Sequence, residues 1–283
     1  MKQDTNRRTG DRRDGRQIRN LPLADQYTPF FIRRRSEASN FYEDAVDITA
    51  AELWIMEHAK GEFSNLNLLH VLIAAYVRTV SAMPAINRFV SGQRVYARND
   101  ITVVISAART ESNRRSGRYV KIFFEPTDNI YDVYRKIGSA VQQMKAGETY
   151  VGKAPFSETV LKLPRPMVQL AFWAIRVMDY FGRMPQQLMA DSPYHGSLSV
   201  CSLPGQGVRP SYLSLGNFGN LSMSLALSTG QTQNRQVLNF RAVYDNRIAD
   251  AHYFTEAFGY MKDLVRNPSL LEPSPESIFE DIL

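Results

Sequence analysis

The chain has 283 residues, 44% of them hydrophobic, a formal net charge of +6 and a single cysteine. That is enough apolar material for one large α/β domain or two small ones, and one cysteine excludes both an intrachain disulfide and a cysteine-rich metal site. No window reaches the ~20 apolar residues of a spanning helix, and residues 1–20 hold no apolar core of a signal peptide, so a reducing cytoplasm is the expected compartment.

The charge is unevenly spread. Lys2, Arg7, Arg8, Arg12, Arg13, Arg16 and Arg19 outnumber Asp4, Asp11 and Asp14 near the start, and the remainder is close to balance. Residues 1–26 read as a basic flexible arm, followed by one domain over 27–283. Nucleic-acid binding usually needs a basic face on the fold itself, so the arm points to a solvated or subunit-clasping role instead.

The chain commits to structure near Tyr27–Ile32. Arg33–Tyr42 is expected as a short helix and Ala45–Ile48 as a strand, with Thr49 capping a helix to about Lys60. Leu66–Ala82 is apolar nearly all round, with Arg78 its one charge, and reads as a core helix that ends at Pro84. Arg94–Arg98, Ile101–Ala107 and, after a charged loop, Tyr119–Glu125 read as strands. Asp128 opens an amphipathic helix over Ile130–Met144.

Pro164–Pro185 carries Met167, Leu170, Trp173, Ile175, Tyr180 and Phe181, interrupted by Arg176 and Asp179. It reads as a core or oligomer-interface helix; the alternative is an in-plane membrane helix flanked by Arg165 and Arg183. Strands return at 197–203, 221–227 and 236–244, with a Gly/Pro loop at Pro204–Pro210. In the last of them Leu238, Phe240, Ala242 and Tyr244 alternate onto one face. A polar turn follows at Asp245-Asn246-Arg247, and Asp250 sits where an N-cap belongs. The helix from Ala251 to Val265 then places Phe254, Phe258, Met261 and Leu264 at helical spacing. No internal repeat, glycine-rich phosphate loop or lipoyl-attachment segment is present.

This strand, turn, aspartate and helix resemble the active-site signature of the chloramphenicol acetyltransferase-like fold, and in particular the acyltransferase catalytic domains of 2-oxo acid dehydrogenase complexes. In that family the turn reads Asp-His-Arg-x-x-Asp-Gly with the histidine as general base, and a strand reading Gly-x-x-x-x-Ser-Asn supplies an oxyanion serine. The resemblance implies a mixed α/β sandwich and a homotrimer with its site between subunits. It also implies acyl transfer between coenzyme A and a thiol, with coenzyme A or acyl-CoA as substrate and no tightly bound cofactor.

At the matching positions this sequence departs from the pattern. Asn246 stands for the histidine, Ala251 for the glycine and, aligned from Gly196, Cys201 for the serine. A carboxamide takes no proton near neutral pH and a thiol is a weak donor, so the match implies a pseudoenzyme with lost or strongly reduced catalysis. Asp250 matches the motif aspartate, and Arg35 is its expected ion-pair partner. Two further readings stay open. One is an active acyltransferase with His252 as a recruited base and Ser199 or Ser202 as oxyanion donor. The other is a non-enzymatic assembly or membrane-surface protein built on the 164–185 helix. As a lone strand cysteine, Cys201 reads as an inert small hydrophobe, and no histidines and carboxylates share metal-ligand spacing.

Overall fold

The structure, a computed structural model, describes residues 8–107, 118–145, 162–203, 209–232 and 235–281. Its strands are β1 (Gly15–Gln17), β2 (Ser39–Asp47), β3 (Arg88–Ser91), β4 (Arg94–Arg98), β5 (Ile101–Ala107), β6 (Arg118–Phe124), β7 (Leu198–Leu203), β8 (Met223–Thr232) and β9 (Arg235–Asp245). Its helices are α1 (Leu23–Phe31), α2 (Thr49–His58), α3 (Leu68–Ala82), α4 (Ile130–Lys145), α5 (Arg165–Tyr180), α6 (Gln186–Asp191) and α7 (Ala251–Arg266). Six strands form one mixed sheet in the order β2-β9-β8-β7-β5-β6, and β1-β4-β3 form a second, smaller sheet. In the large sheet β8, β7 and β5 run parallel while the outer pairs are antiparallel.

The alternation in β9 sets the main core. Leu238, Phe240, Ala242 and Tyr244 are all buried, because successive strand residues face opposite sides and these share one side. They meet α7, whose Phe254, Phe258, Met261 and Leu264 fall on one helical stripe and are buried as well. Tyr244 stacks on Phe254 with ring centroids 3.9 Å apart, and Tyr42 of β2 stacks on Phe258 at 4.6 Å. A fully buried side chain such as Phe254 or Phe258 contributes about 1.5–3 kcal/mol. Beside α7 lies α3, with eleven of its fifteen residues buried, as its all-round apolar sequence demands. Its start is a reciprocal cap: Asn67 Oδ1 accepts from the Leu69 amide at 3.0 Å, and His70 Nδ1 accepts from the Asn67 amide at 3.2 Å.

Three expectations need correction. Residues 8–22, taken as part of a flexible arm, are docked: β1 pairs with β4, and Arg12 is buried. Arg12 Nε donates to Asp14 at 2.8 Å, Nη1 to Ser91 Oγ at 2.7 Å and Nη2 to Asp179 at 2.8 Å. Burial opposes its charge, but Asp14 and Asp179 outweigh that and raise its pKa above the ordinary arginine value. A buried guanidinium needs such partners, and one of them is 167 residues away, out of reach of any local reading. The rest of the arm, residues 1–7, lies outside the described residues.

Second, Arg33–Tyr42 is not a helix. α1 ends at Phe31, and β2 starts at Ser39 to pair with the end of β9. Third, α5 is no core helix, since Ile175 is its one buried residue among those described. It rests on Met184 and Met189 as a small satellite cluster. The charged loop expected after Ala107 and residues 204–208 of the Gly/Pro loop lie outside the described residues.

Candidate functional site

The turn after β9 is built on Asp245. Its Oδ1 accepts from the Arg247 backbone amide at 3.1 Å, the local bond that makes aspartate favourable in turns. The same carboxylate takes both arms of the Arg247 side chain, Nε at 2.8 Å and Nη2 at 2.6 Å. This bidentate pair is buried and holds one geometry. Arg247 Nη1 then reaches the backbone oxygens of Ile32 and Arg33 at 3.2 and 3.1 Å, which ties the turn to the end of α1.

Arg35 stands on the other side of Asp245. Its Nε lies 3.7 Å from Asp245 Oδ2, and its terminal nitrogens donate to the backbone oxygens of Leu215 and Gly219. Burial pushes Arg35 down to about 10; Asp245 opposes this and the neighbouring charge of Arg247 adds to it. The expected partner, Asp250, is elsewhere. It is exposed and caps α7, accepting from the Tyr253 amide at 2.7 Å. The Arg35–Asp250 pairing is therefore replaced by Arg35–Asp245. The reason is register: β2 runs beside β9 with Ser39 opposite Asp245, which leaves Arg35 against the first aspartate of the motif.

Asn246 projects from the middle of this locked turn. Its amide donates to Ala38 O at 2.9 Å, and its Oδ1 accepts from Asn40 Nδ2 at 3.0 Å. Two carboxamides thus face each other where the resembled family has a histidine. Ala251 occupies the first position of α7 and is not among the residues with positive φ, so nothing in the backbone there calls for glycine. His252 points away: its side chain is 82% exposed and its Nε2 is 3.2 Å from Glu256 Oε1.

The strand register fixes the oxyanion candidates. Cys201 stands level with Ala226 of β8 and, through it, with Arg241 of β9. Arg241 is five residues before Asn246, so the two candidate positions are separated by roughly 17 Å along the sheet. One chain does not bring them together. Cys201 and Ser199 share one side of β7, and Ser202 faces the other, where it lines a cavity with Asn67, Leu69, Leu72 and Thr229.

Sequence reasoning passed over Asn40, hidden in a segment expected to be helical. Its alternation with Tyr42, Asp44 and Val46 was the available signal. It also passed over the buried polar group around His195. His195 Nε2 is 3.9 Å from Asp179, and Lys121 Nζ donates to the Met189 and Ser192 oxygens. Burial, with the charge of Arg98, pushes Lys121 down to about 7. Among the described residues no group of three or more His, Cys, Asp or Glu could hold a metal ion.

No family model matches the sequence, and no curated protein matches it significantly. Solved structures do. A probable dihydrolipoamide acetyltransferase from Listeria monocytogenes is similar at a TM-score of 0.54 and 13% identity, over 92% of this chain and 98% of that one. The cubic core of a pyruvate dehydrogenase multienzyme complex is similar at 0.56 and 11% identity, over 90% and 94%. A chloramphenicol acetyltransferase is similar at 0.55 and 11% identity, over 87% and 96%. The chain has the chloramphenicol acetyltransferase-like fold. Within that fold, the β9 turn with Asn246 and the β7 position of Cys201 lie apart in a single chain.

Proposed function

We propose that this chain is an acyltransferase-fold scaffold that binds an acyl-CoA or acyl-thiol and has lost most or all turnover. The observation that carries this is the turn itself: Asn246 is held by Asn40 inside a buried aspartate–arginine frame, with His252 in solvent. A carboxamide so placed holds a hydrogen bond and accepts no proton. Loss of a general base costs about 10²–10⁴-fold. Cys201 in place of a hydroxyl removes a good oxyanion donor as well, and such donors are worth a further ~10²–10³-fold.

The roughly 17 Å between the half-sites supports a symmetric trimer in which the turn of one chain meets β7 of the next. β2 is an edge strand of the large sheet, its exposed Phe41 packs edge-on against Tyr212, and edge strands of this kind invite a partner chain. A trimer would weigh about 97 kDa, from chains of 32.2 kDa. A monomer by light scattering at micromolar concentration contradicts the shared site.

The test of lost catalysis is acetyl transfer from acetyl-CoA to dihydrolipoamide. Wild type is expected at background, and Asn246→His with Cys201→Ser to gain measurable transfer. Vigorous wild-type transfer that falls in His252→Ala would favour the recruited-base reading instead.

A further inference from the structure

The side of the molecule around α5 adjoins the frame of the β9 turn and carries further features of its own. A cavity of about 270 Å³ opens between the end of α1, the β3–β4 turn and α5, lined among others by Arg33, Arg35, Arg176, Arg247, Gln93 and Tyr180. Arg247 is neutralised by Asp245. Asp179, the carboxylate that borders the cavity, is taken by Arg12 at 2.8 Å; burial would raise its pKa, but His195 and Arg12 hold it at about 2. Arg33 and Arg176 have no ion pair among the described residues, and the Nε of buried Arg35 makes no hydrogen bond there. The rim is fixed: Gln93 adopts φ +60° in the turn after β3 and accepts from the Tyr180 hydroxyl at 3.0 Å.

The cavity adjoins an apolar stripe. Trp173 lies one helical turn before Arg176 and Tyr180 one turn after it, which places all three along one side of α5. Continuing outward, Met167, Leu170 and Trp173 are 52, 63 and 61% exposed, and Phe181 is 67% exposed. Ile175, on the opposite side, anchors the helix together with the partly buried Ala171 and Met178. Arg165 and Arg183 flank the stripe, and no described helix is long and apolar enough to cross a membrane. A helix with exposed large apolar side chains, bordered by arginines and anchored along one line, suits the boundary between lipid headgroups and acyl chains.

We propose that this face is an interfacial membrane-binding surface: the arginine cavity takes the phosphate of an anionic phospholipid headgroup, and the α5 stripe enters the acyl boundary. Charge complementarity selects this occupant. Guanidinium forks match phosphate oxygens in pairs, and Arg33 with Arg176 supplies positive charge that no carboxylate among the described residues offsets. A two-fold contact with a second copy would set the same positive face against itself, which makes an isologous dimer through this face unfavourable.

The experiment is flotation of the full chain with vesicles of phosphatidylcholine alone and of phosphatidylcholine mixed equally with phosphatidylglycerol. Flotation is expected with the anionic vesicles only, weakening as salt is added. Arg33→Glu and Arg176→Glu, both at exposed positions, should each weaken it by about fivefold or more. Trp173→Asp should abolish it with an unchanged circular dichroism spectrum. Equal flotation with both vesicle types, or flotation indifferent to the arginine changes, overturns the headgroup assignment. No flotation, with Trp173→Asp lowering the mass seen by light scattering, overturns it in favour of a second copy on this face. No flotation, with inorganic phosphate raising the melting temperature in wild type but not in Arg176→Glu, overturns it in favour of a soluble anion. Flotation and acetyl transfer are separate readouts, and Trp173 and Arg176 lie on α5, outside the β9 turn.

Discussion

α3 and α5 are similar in length and both rich in large apolar residues, yet the protein uses them in opposite ways. α3 has a single charge, Arg78 at its margin, and a reciprocal cap at its start, and eleven of its residues vanish into the core. α5 has no side-chain cap, carries Arg176 and Asp179 within it, and buries one residue. The arginines repeat the contrast. Arg247 and Arg35 are enclosed around Asp245, whereas Arg33 and Arg176 stand at an open cavity. Apolar content thus says that a helix wants cover, and its charges say whether the chain's own core supplies it.

The sharpest way to probe the enclosed side is Asp245→Ala. It leaves two buried guanidinium groups without their carboxylate and should cost about 3–5 kcal/mol in chemical denaturation. Asp245→Ala combined with Arg247→Met should cost less than the sum of the single changes. Additive costs would mean that the pair does not hold the turn.

The two helices can be set directly against each other. Ile73→Ala, in the buried run of α3, should lose about 2–5 kcal/mol, and Leu170→Ala, on the outer side of α5, no more than about 0.5 kcal/mol. Comparable losses would break the contrast and place α5 in a folded core.

Acid sharpens the same difference through His70 at the start of α3. Burial lowers its pKa from 6.5 to about 4, and the Asn67 amide donates to the Nδ1 lone pair, which favours the neutral ring as well. Between those values the unfolded chain binds more protons than the folded one. The contribution is therefore complete above pH 6.5 and is lost as pH falls toward 4. His70→Gln, which can still close the capping box, should flatten this part of the stability–pH curve; an unchanged slope would remove His70 as its source.

The smallest expected effect belongs to Asp250. As the N-cap of α7 it should cost about 1 kcal/mol when changed to alanine, far below Asp245→Ala. The reverse order would restore the Arg35–Asp250 pairing that the family motif implies.

Much of this was legible in the sequence where the physics is local. The alternation over Leu238–Tyr244 named the central strand and its buried side, the aspartate before the Phe254–Phe258–Met261 stripe named the cap, and the apolar run at 68–82 named the core helix. What the sequence hid depends on distant partners. Arg12 looks like any solvated arginine until Asp179 is brought to it. Arg35 has two candidate aspartates five residues apart in the motif, and the β2–β9 register decides between them. Asn40 becomes part of the turn because that register sets β2 alongside it. The exposed side of α5 was among the readings its composition allowed, and composition alone did not separate it from a core helix.

The central claim is that the turn keeps its frame and has lost its base, so that ligand is bound without turnover. Calorimetric titration of acetyl-CoA into wild type, with coenzyme A separated from acetyl-CoA by chromatography and quantified after addition of dihydrolipoamide, tests it most directly. The account predicts saturable binding heat, no released coenzyme A above the protein-free rate, and an unchanged result in Asn246→Ala. Steady release of coenzyme A that drops when Asn246 is replaced by alanine would contradict it.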